Sequence, residues 1–359
     1  MISALKTITI KMMAGANMMV VLLMLMVGYA DHINPVDHPL LACAGLAFPV
    51  FLLLNLGFLL FWLVFQFRMF VIPVVGYALV FPSIHLYVPL NAERELPEGC
   101  IKVMSYNVQS FSGYPKYSDG FEPICDYIRE ADADILCLQE DQDARHHDHG
   151  ILDSLYAYRD TLGMGSPGKS NAIGIYSRYP ILKKERIHYQ SRANGSMAYF
   201  LKIGADTVIV VNNHLESNHL TLTDRENYRE LLKGGVEKDS ARLQSRQLIS
   251  KLSQAVATRA PQADAVAAFI EEHRKYPIIV CGDFNDSPIS YAHRTIAKGL
   301  TDCFEATGKG FGLSFKQQGF WVRIDNILCS EHFEPYNCKI DNKIDASDHY
   351  PIICWLKKR

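Results

Sequence analysis

The sequence predicts an α/β domain carried behind a membrane head of about three helices. Two patterns predict it. The first 92 residues hold three long stretches without a charged side chain, and from Cys100 onward short apolar runs alternate with helical or turn segments. Composition agrees with an ordered chain. Of 359 residues 49% are hydrophobic, and 18 Phe, 18 Tyr and 3 Trp exceed what a disordered chain carries. The formal net charge of −2 lacks the basic excess of a general phosphate-backbone binder.

The uncharged stretches are Met12–Ala30, Leu40–Phe67 and, after Arg68, Met69–Ala92. About 20 apolar residues at the helical rise match the hydrocarbon thickness of a bilayer. Helices of a soluble core would show a polar face every 3.6 residues, and FLLLNLGFLLFWLVF shows almost none. Lys6 and Lys11 precede the first stretch and Arg68 separates the second from the third, whereas the first loop carries only Asp31, Asp37 and histidines. The positive-inside rule then places the N-terminus in the cytoplasm and residues 93 onward outside it. The small residues Gly28 and Ala30 also fit a signal-peptidase site, and cleavage there would leave two spans with the same final side. NAERELPEG (91–99) reads as the linker, and residues 93–359 carry 33 basic against 36 acidic side chains.

Eight runs read as strands: 101–108, 133–139, 171–177, 198–203, 207–215, 277–284, 323–330 and 351–356. Most are near-continuous Val/Ile/Leu runs, the mark of strands covered on both faces. Phe121–Ala131 and the long stretch Thr223–Arg274 read as helical, the latter with Leu248, Leu252 and Val256, then Val266, Phe269 and Ile270, on a core-facing stripe. Strands interleaved with helices over this length give one α/β domain. Eight of nine cysteines follow residue 99 without any metal-ligand spacing, and those within strands act as small hydrophobes.

Polar residues stand at the ends of these strands. Asn107, Glu140, Asn213 with His214, Asp283 with Asn285, Asp325, and Asp348 with His349 all fall there. Strand ends of α/β folds gather side chains from separate loops onto a rigid scaffold. Asp, Glu, Asn and His suit a hard divalent ion and a phosphoryl group. Any one of them alone would read as a turn or cap residue.

In order, SYNVQSF, DILCLQE, NAIGIYSRYPI, VVNNHLES, GDFNDSP, RIDNIL and SDHYPI resemble the motifs of the endonuclease/exonuclease/phosphatase, or DNase I-like, superfamily. The resemblance covers about Ile101 to Leu356. It implies a four-layer sandwich of two mixed β-sheets flanked by helices, and Mg²⁺- or Mn²⁺-dependent hydrolysis of a phosphate ester. Residues 1–92 are then the membrane anchor and 93–359 the catalytic domain.

Carried over residue by residue, the resemblance makes Asn107 and Glu140 metal-binding positions, with Asp348 a further metal or site-shaping carboxylate. Asp283 would orient and deprotonate the attacking water, and Asn285 would donate to phosphate oxygens. His349 would stabilise growing charge, held by Asp325, and His214 would bind phosphate or protonate the leaving oxygen. Asn171 and Asn213 are candidate substrate contacts, while Arg178, before a Tyr-Pro turn, reads as structural.

Two motifs invite other readings. GMGSPGKS (163–170) fits the P-loop pattern, but the following NAIGIYS reads as a strand where that mechanism needs a helix N-terminus, and Pro167 removes an amide. RHHDHG (145–150) reads as a solvated loop, with a second metal or the substrate rim as its alternatives. The motifs specify the phosphate and leave the remainder of the substrate open: a phospholipid headgroup, a nucleotide or a nucleic acid. Three functions follow: a membrane-anchored phosphodiesterase, a nuclease of the same fold, and a catalytically inactive tethered binding module. The intact residue set opposes the last.

Overall fold

In a computed structural model the described residues are 2–114, 116–142, 150–164, 171–234, 237–317 and 320–359. The head comprises helices α1 (Ile2–Gly28), α2 (Pro39–Ala42), α3 (Phe48–Phe65), α4 (Val71–Leu79) and α5 (Phe81–Tyr87). Leu5–Gly28 and Pro39–Phe65 are long and apolar enough to cross a membrane. The third uncharged stretch is broken: Phe67–Leu79 and Phe81–Tyr87 meet at a 62° bend. Pro82 lies in the first turn of α5, and Val80 at the break has left helical geometry at φ −103°, ψ 15°. A proline ring restricts the chain just before it, which is why a helix ends there.

A buried polar chain ties the three segments together. Asn17 donates to Asn55 at 3.2 Å, Trp62 Nε1 donates to Asn17 at 3.0 Å, and Asn55 donates to the Pro73 carbonyl at 3.0 Å. In an apolar medium such bonds fix helix register, since the alternative is an unpaired polar group. Ser83 Oγ donates to the Gly28 carbonyl and Tyr29 to the Leu79 carbonyl, so the bend of the third segment lies level with the end of α1. Residues 90–94, of which 91–94 belong to the stretch read from sequence as linker, are laid along the α/β domain: Leu90 bridges to Lys309, the Asn91 side-chain amide donates to the Glu305 and Gly308 carbonyls, and Arg94 pairs with Glu334.

Beyond the head the elements run β1 (Ile101–Asn107), α6 (Phe121–Ala131), β2 (Ile135–Gln139), α7 (Gly150–Leu155), β3 (Tyr158–Gly163), β4 (Ala172–Ser177), β5 (Ile181–Ile187), β6 (Gly195–Ile203) and β7 (Asp206–His214). Then come α8 (Leu222–Lys233), α9 (Lys238–Glu272), β8 (Ile278–Asp283), α10 (Tyr291–Ile296), β9 (Thr301–Asp302) and α11 (Cys303–Thr307). The chain ends with β10 (Phe315–Gln317), β11 (Phe320–Val322), β12 (Asp325–Cys329), β13 (Phe333–Ile340) and β14 (Ile352–Lys358). Two six-stranded mixed sheets result, ordered β13-β14-β1-β2-β4-β3 and β5-β6-β7-β8-β12-β9, with β10–β11 a separate hairpin.

Alternation along each strand divides the apolar side chains into layers. Val103, Ile135, Ile173, Val210, Ile279 and Ile327 fill the space between the sheets. Met104, Leu136 and Ile353 pack under α6 and α7, and Ile209, Val211 and Val280 pack under α9 and α10. The expected stripe on α9 holds only in its second half. Val256, Val266, Phe269 and Ile270 are buried, but Leu248 and Leu252 are half-buried. A 35-residue helix runs about 50 Å, beyond the width of six strands about 4.8 Å apart, so its first half outruns the sheet.

The strand β4 follows the P-loop-like segment, in keeping with the reading against nucleotide binding; residues 165–170 themselves, and 145–149 of RHHDHG, lie outside the described residues. All nine cysteines are free thiols, seven of them buried.

One backbone position is set by close approach. Gly282 has φ +126°, and a Cβ there would lie 2.0 Å from the Asn213 carbonyl oxygen of the neighbouring strand. Gly282→Ala is therefore expected to destabilise the fold by more than about 3 kcal/mol, the upper end for one forced backbone conformation. A thermal melt of the full chain checks it; a melting temperature within 2 °C of wild type, about 1 kcal/mol or less for a chain this long, would refute it.

Candidate active site

The ends of β1, β2, β7, β8 and β12 converge on one cleft between the sheets. Parallel pairing aligns Asn107 with Gln139 and His214 with Asp283, and antiparallel pairing sets Asp325 opposite Asp283. The chain turns sharply beside each. Gln109, Ser110 and Phe111, Glu140, and Asn285 all adopt positive φ between 48° and 55°. Non-glycine residues hold this conformation only where their surroundings impose it, and here hydrogen bonds do so. The Ser110 amide donates to the Glu140 carbonyl, and the Asn285 amide donates to Asp283 Oδ1 at 2.8 Å.

Asp283 is the hub. Its Oδ2 accepts from the Asn107 side-chain amide at 3.2 Å and lies 3.7 Å from both His349 Nε2 and His214 Nε2. Asn107 also reaches Glu140 Oε1 at 3.4 Å. Asp325 Oδ2 accepts from His349 Nδ1 at 2.8 Å, and the Phe315 ring closes on the imidazole at 5.0 Å. Ser347 fixes the last motif by donating to the Asn107 carbonyl. The Asp348 carbonyl accepts from the Lys316 amide and its own amide donates to Gln109, which leaves the carboxylate near enough to Glu140 to act on its charge.

Burial and charge divide the titratable groups. Burial pushes the Asp283 carboxyl up to about 7, with the Asp325 charge adding to it and the His349 cation partly offsetting both. Burial opposes charge on His349 as well, but Asp325 and then Asp283 outweigh it and raise the imidazole to about 10. His214 is driven the other way, to about 3, by burial and then by the His349 charge. One histidine is therefore cationic at neutral pH and the other neutral. Burial and then the neighbouring Asp348 charge raise Glu140 above the usual carboxylate range.

Of the residues named from sequence, Asn107, Glu140, His214, Asp283, Asn285, Asp325, Asp348 and His349 meet in this cleft. Asn171 stands at its rim, donating to Asn194 and accepting from Gln142, two residues beyond Glu140. Asn213 is not brought to the cleft. Its neighbours Asn212 and His214 face the other sheet, so strict alternation turns Asn213 to the helical side with Ile209 and Val211, where its amide donates to the Cys281 carbonyl. Arg178 is structural as read, pairing with Asp132 and Asp134.

Sequence reasoning missed the groups beneath the site. Gln139, Asn212 and Ser105 form a polar bridge between the two sheets, and Arg259 holds Asp286 through two N–H groups at 3.1 and 3.0 Å. Buried polar positions inside otherwise apolar strands (Ser105, Gln139 and Asn212) were the available signal.

Residues 104–349 match the Endonuclease/Exonuclease/phosphatase family. The chain belongs to that family. Among solved structures it resembles the human Nocturnin catalytic domain with bound sulfate anion (TM-score 0.53, 16% identity, 75% of this chain and 98% of that one). A functionally unknown conserved protein from Enterococcus faecalis V583 gives TM-score 0.51 and 15% identity over 72% and 100% of the two chains. Humanized D. rerio TDP2 gives 0.50 and 17% over 72% and 99%. At these identities the likeness is one of fold. No curated sequence matches. Residues 10–87 of the head match a Domain of unknown function (DUF8431).

Members of the endonuclease/exonuclease/phosphatase family are metal-dependent phosphoesterases, and the donor set here suits a divalent ion. Buried Asp283, Asp325 and His349 offer ligand atoms within 4.8 Å of one another and could hold one if His349 gave up its proton, because an imidazolium has no free nitrogen lone pair. Asp325 Oδ1 is buried with no hydrogen-bond partner among the described residues. The raised Glu140 beside Asp348 is a second sign, since two neighbouring carboxylates are relieved by a cation. All the side-chain donors except the histidines are oxygens, the preference of Mg²⁺ and Mn²⁺.

Proposed function

We propose that the chain is a membrane-anchored, Mg²⁺- or Mn²⁺-dependent phosphodiesterase that hydrolyses a phosphate ester by in-line attack of water, with a phospholipid headgroup as substrate. The observation that carries it is the meeting of Asp283, Asp325 and His349 with Glu140, Asn107 and His214 in one cleft. Glu140 and Asp348, with Asn107, would hold the ion, which supplies positive charge to the phosphate oxygens when bound.

Asp283 takes the proton of the attacking water, its raised affinity matching a base that works near neutral pH. Asn285 spends one amide hydrogen on the Leu215 carbonyl at 2.9 Å and keeps the other for a non-bridging oxygen. His349, held cationic by Asp325, meets the charge that grows on the phosphate in the transition state. His214, neutral at working pH, offers an uncharged N–H to the same group. No nucleophilic side chain is part of this set, so water attacks directly.

Two helices long enough to span, and a bent pair that returns the chain to the level of the first loop, support a three-span anchor over residues 1–92 with residues 93–359 on one side. Lys6, Lys11 and Arg68 support that side being extracytoplasmic. A domain tethered there meets lipid headgroups at high effective concentration.

The test uses the full chain in lipid nanodiscs with Mg²⁺ or Mn²⁺. Its panel is phosphatidylcholine and sphingomyelin vesicles, an inositol phosphate, single- and double-stranded DNA, and an aryl phosphodiester. Cleavage is expected on lipid and aryl diester, to be abolished by EDTA and restored by Mn²⁺. Preferred cleavage of DNA would replace the lipid reading with the nuclease, and no turnover on any member by folded protein would leave the binding module.

A further inference from the structure

Two of the head's contacts with the rest of the chain lie within six residues of the paired carboxylates. The first is Ile289, six residues beyond Asp283. It is buried in the head's own apolar cluster with Met24, Val27, Phe48, Val80 and Tyr87. Gly45, between α2 and α3, lies so close that a Cβ would come within 2.5 Å of the Ile289 carbonyl oxygen. Every residue between Asp283 and Ile289 is buried. Asp286 is gripped by Arg259, whose remaining N–H groups hold the Glu216 carbonyl and Asn218. The Leu215 carbonyl accepts from Asn285 while its amide donates to the Asp283 carbonyl. A segment this fully bonded passes a displacement on instead of absorbing it.

The second is Arg323, two residues before Asp325. It is 1% exposed, stacks over Phe304 at 4.3 Å, and donates through Nη2 to the Leu86 carbonyl in the last turn of α5. The neighbouring Ile324 carbonyl accepts from the Phe284 amide, which prolongs the β8–β12 pairing past Asp283 and Asp325. One head segment thus grips the chain after the first carboxylate, and another grips the chain before the second.

We infer that the head is a working part of the catalytic centre, and that Ile289 and Arg323 are positioning residues through which head packing sets the spacing of Asp283, His349 and Asp325. The inference rests on reading those three as the reacting groups. It gives the anchor a role beyond tethering: a catalytic domain without its head would lose the Leu86 acceptor and the cover over Ile289. A cut at residue 93 therefore severs support that the site uses.

The experiment takes the full chain in nanodiscs, with an aryl phosphodiester and Mn²⁺. Arg323→Met is expected to lower kcat at least tenfold with KM held within twofold, and Arg323→Lys, which can still donate to Leu86, to recover most of the loss. Ile289→Ala is expected to lower kcat severalfold. Arg294→Ala is the control, since Arg294 meets Asp31 of the head at 3.4 Å but lies away from both strands; its kcat should stay within twofold. Rates are normalised to the folded fraction. If Arg323→Met does not fold, Ile289→Ala and Gly45→Ala decide. A folded Arg323→Met or, in its place, Ile289→Ala with wild-type kcat would overturn the inference.

A second readout needs no turnover. The ¹⁵N shift of the His349 ring, which reports its bond to Asp325, should move in Arg323→Met and Ile289→Ala and stay in place in Arg294→Ala. Wild-type protein inactive on every ester would sink the phosphoesterase reading, and an unmoved ring signal would sink the positioning role separately.

Discussion

Asp283→Asn is expected to lower kcat by about three to four orders of magnitude, within the range for loss of a positioned general base, while leaving the fold as stable as before or more so. The two halves of this result have one cause. Asp283 is buried beside Asp325, and its carboxyl holds its proton well above the usual range because ionising it there is unfavourable. A neutral amide removes that penalty, keeps an acceptor for the Asn285 amide, and occupies the same volume. It cannot take a proton from water. Steady-state kinetics with Mn²⁺ and a thermal melt measure the two effects together. Activity within tenfold of wild type would remove Asp283 from the role of base, and a large drop in melting temperature would show the carboxylate to be structural.

His349→Ala should cost about two to three orders of magnitude in kcat, the range for losing one preorganised charge donor at the transition state. Asp325→Asn tests the same cation from the other side. Asp325 lies 2.8 Å from His349 Nδ1 and, against the effect of burial, raises the imidazole to about 10. Above that value the imidazole loses its proton and its charge, so activity falls. Without Asp325 the cation is held less firmly, and the falling limb must move to lower pH. On the other side of the optimum activity rises as Asp283 loses its proton, with its affinity near 7. A kcat profile from pH 5 to 10.5 checks both signs: a bell in the wild type, and a bell narrowed from its alkaline side in Asp325→Asn. An alkaline limb that stays in place would detach Asp325 from His349.

The agreement between sequence and structure follows burial. The eight runs read as strands are β1, β2, β4, β6, β7, β8, β12 and β14, and these are the inner strands of the two sheets. The edges β3, β5, β9 and β13 were not legible. ILKKERI of β5 is mostly exposed and carries two lysines, and β13 contains Pro335, both common ways of closing a sheet edge to further pairing. A strand covered on both faces writes itself as an apolar run, whereas an edge strand resembles a loop.

The site divides in the same way. Chemistry at strand ends is local information, and eight of the ten named residues reach the cleft from that signal alone. Asn213 does not, because VVNNHL holds three polar residues in a row and only alternation, counted from a known inward residue, tells which ones face the other sheet. The polar bridge Ser105–Gln139–Asn212 was hidden for a related reason: its members lie far apart in sequence and pair only once the sheets are stacked.

The sequence by itself determined that this chain has an apolar head, an α/β core that its motif resemblance implied to hold two sheets, and the acids, amides and histidines of metal-assisted phosphate chemistry, since hydrophobic runs and motif residues are properties of short segments. The resemblance already implied a cationic His349 held by Asp325; tertiary structure alone decided that His214 stays neutral beside it. His214 and His349 are alike as letters, and what separates them is the Asp325 carboxylate at 2.8 Å from one ring and the cation that results, beside the other. It also decided where the head belongs. The grip of Leu86 on Arg323 and the seat of Ile289 among head residues join segments more than 200 residues apart, and only packing brings such distant surfaces into contact.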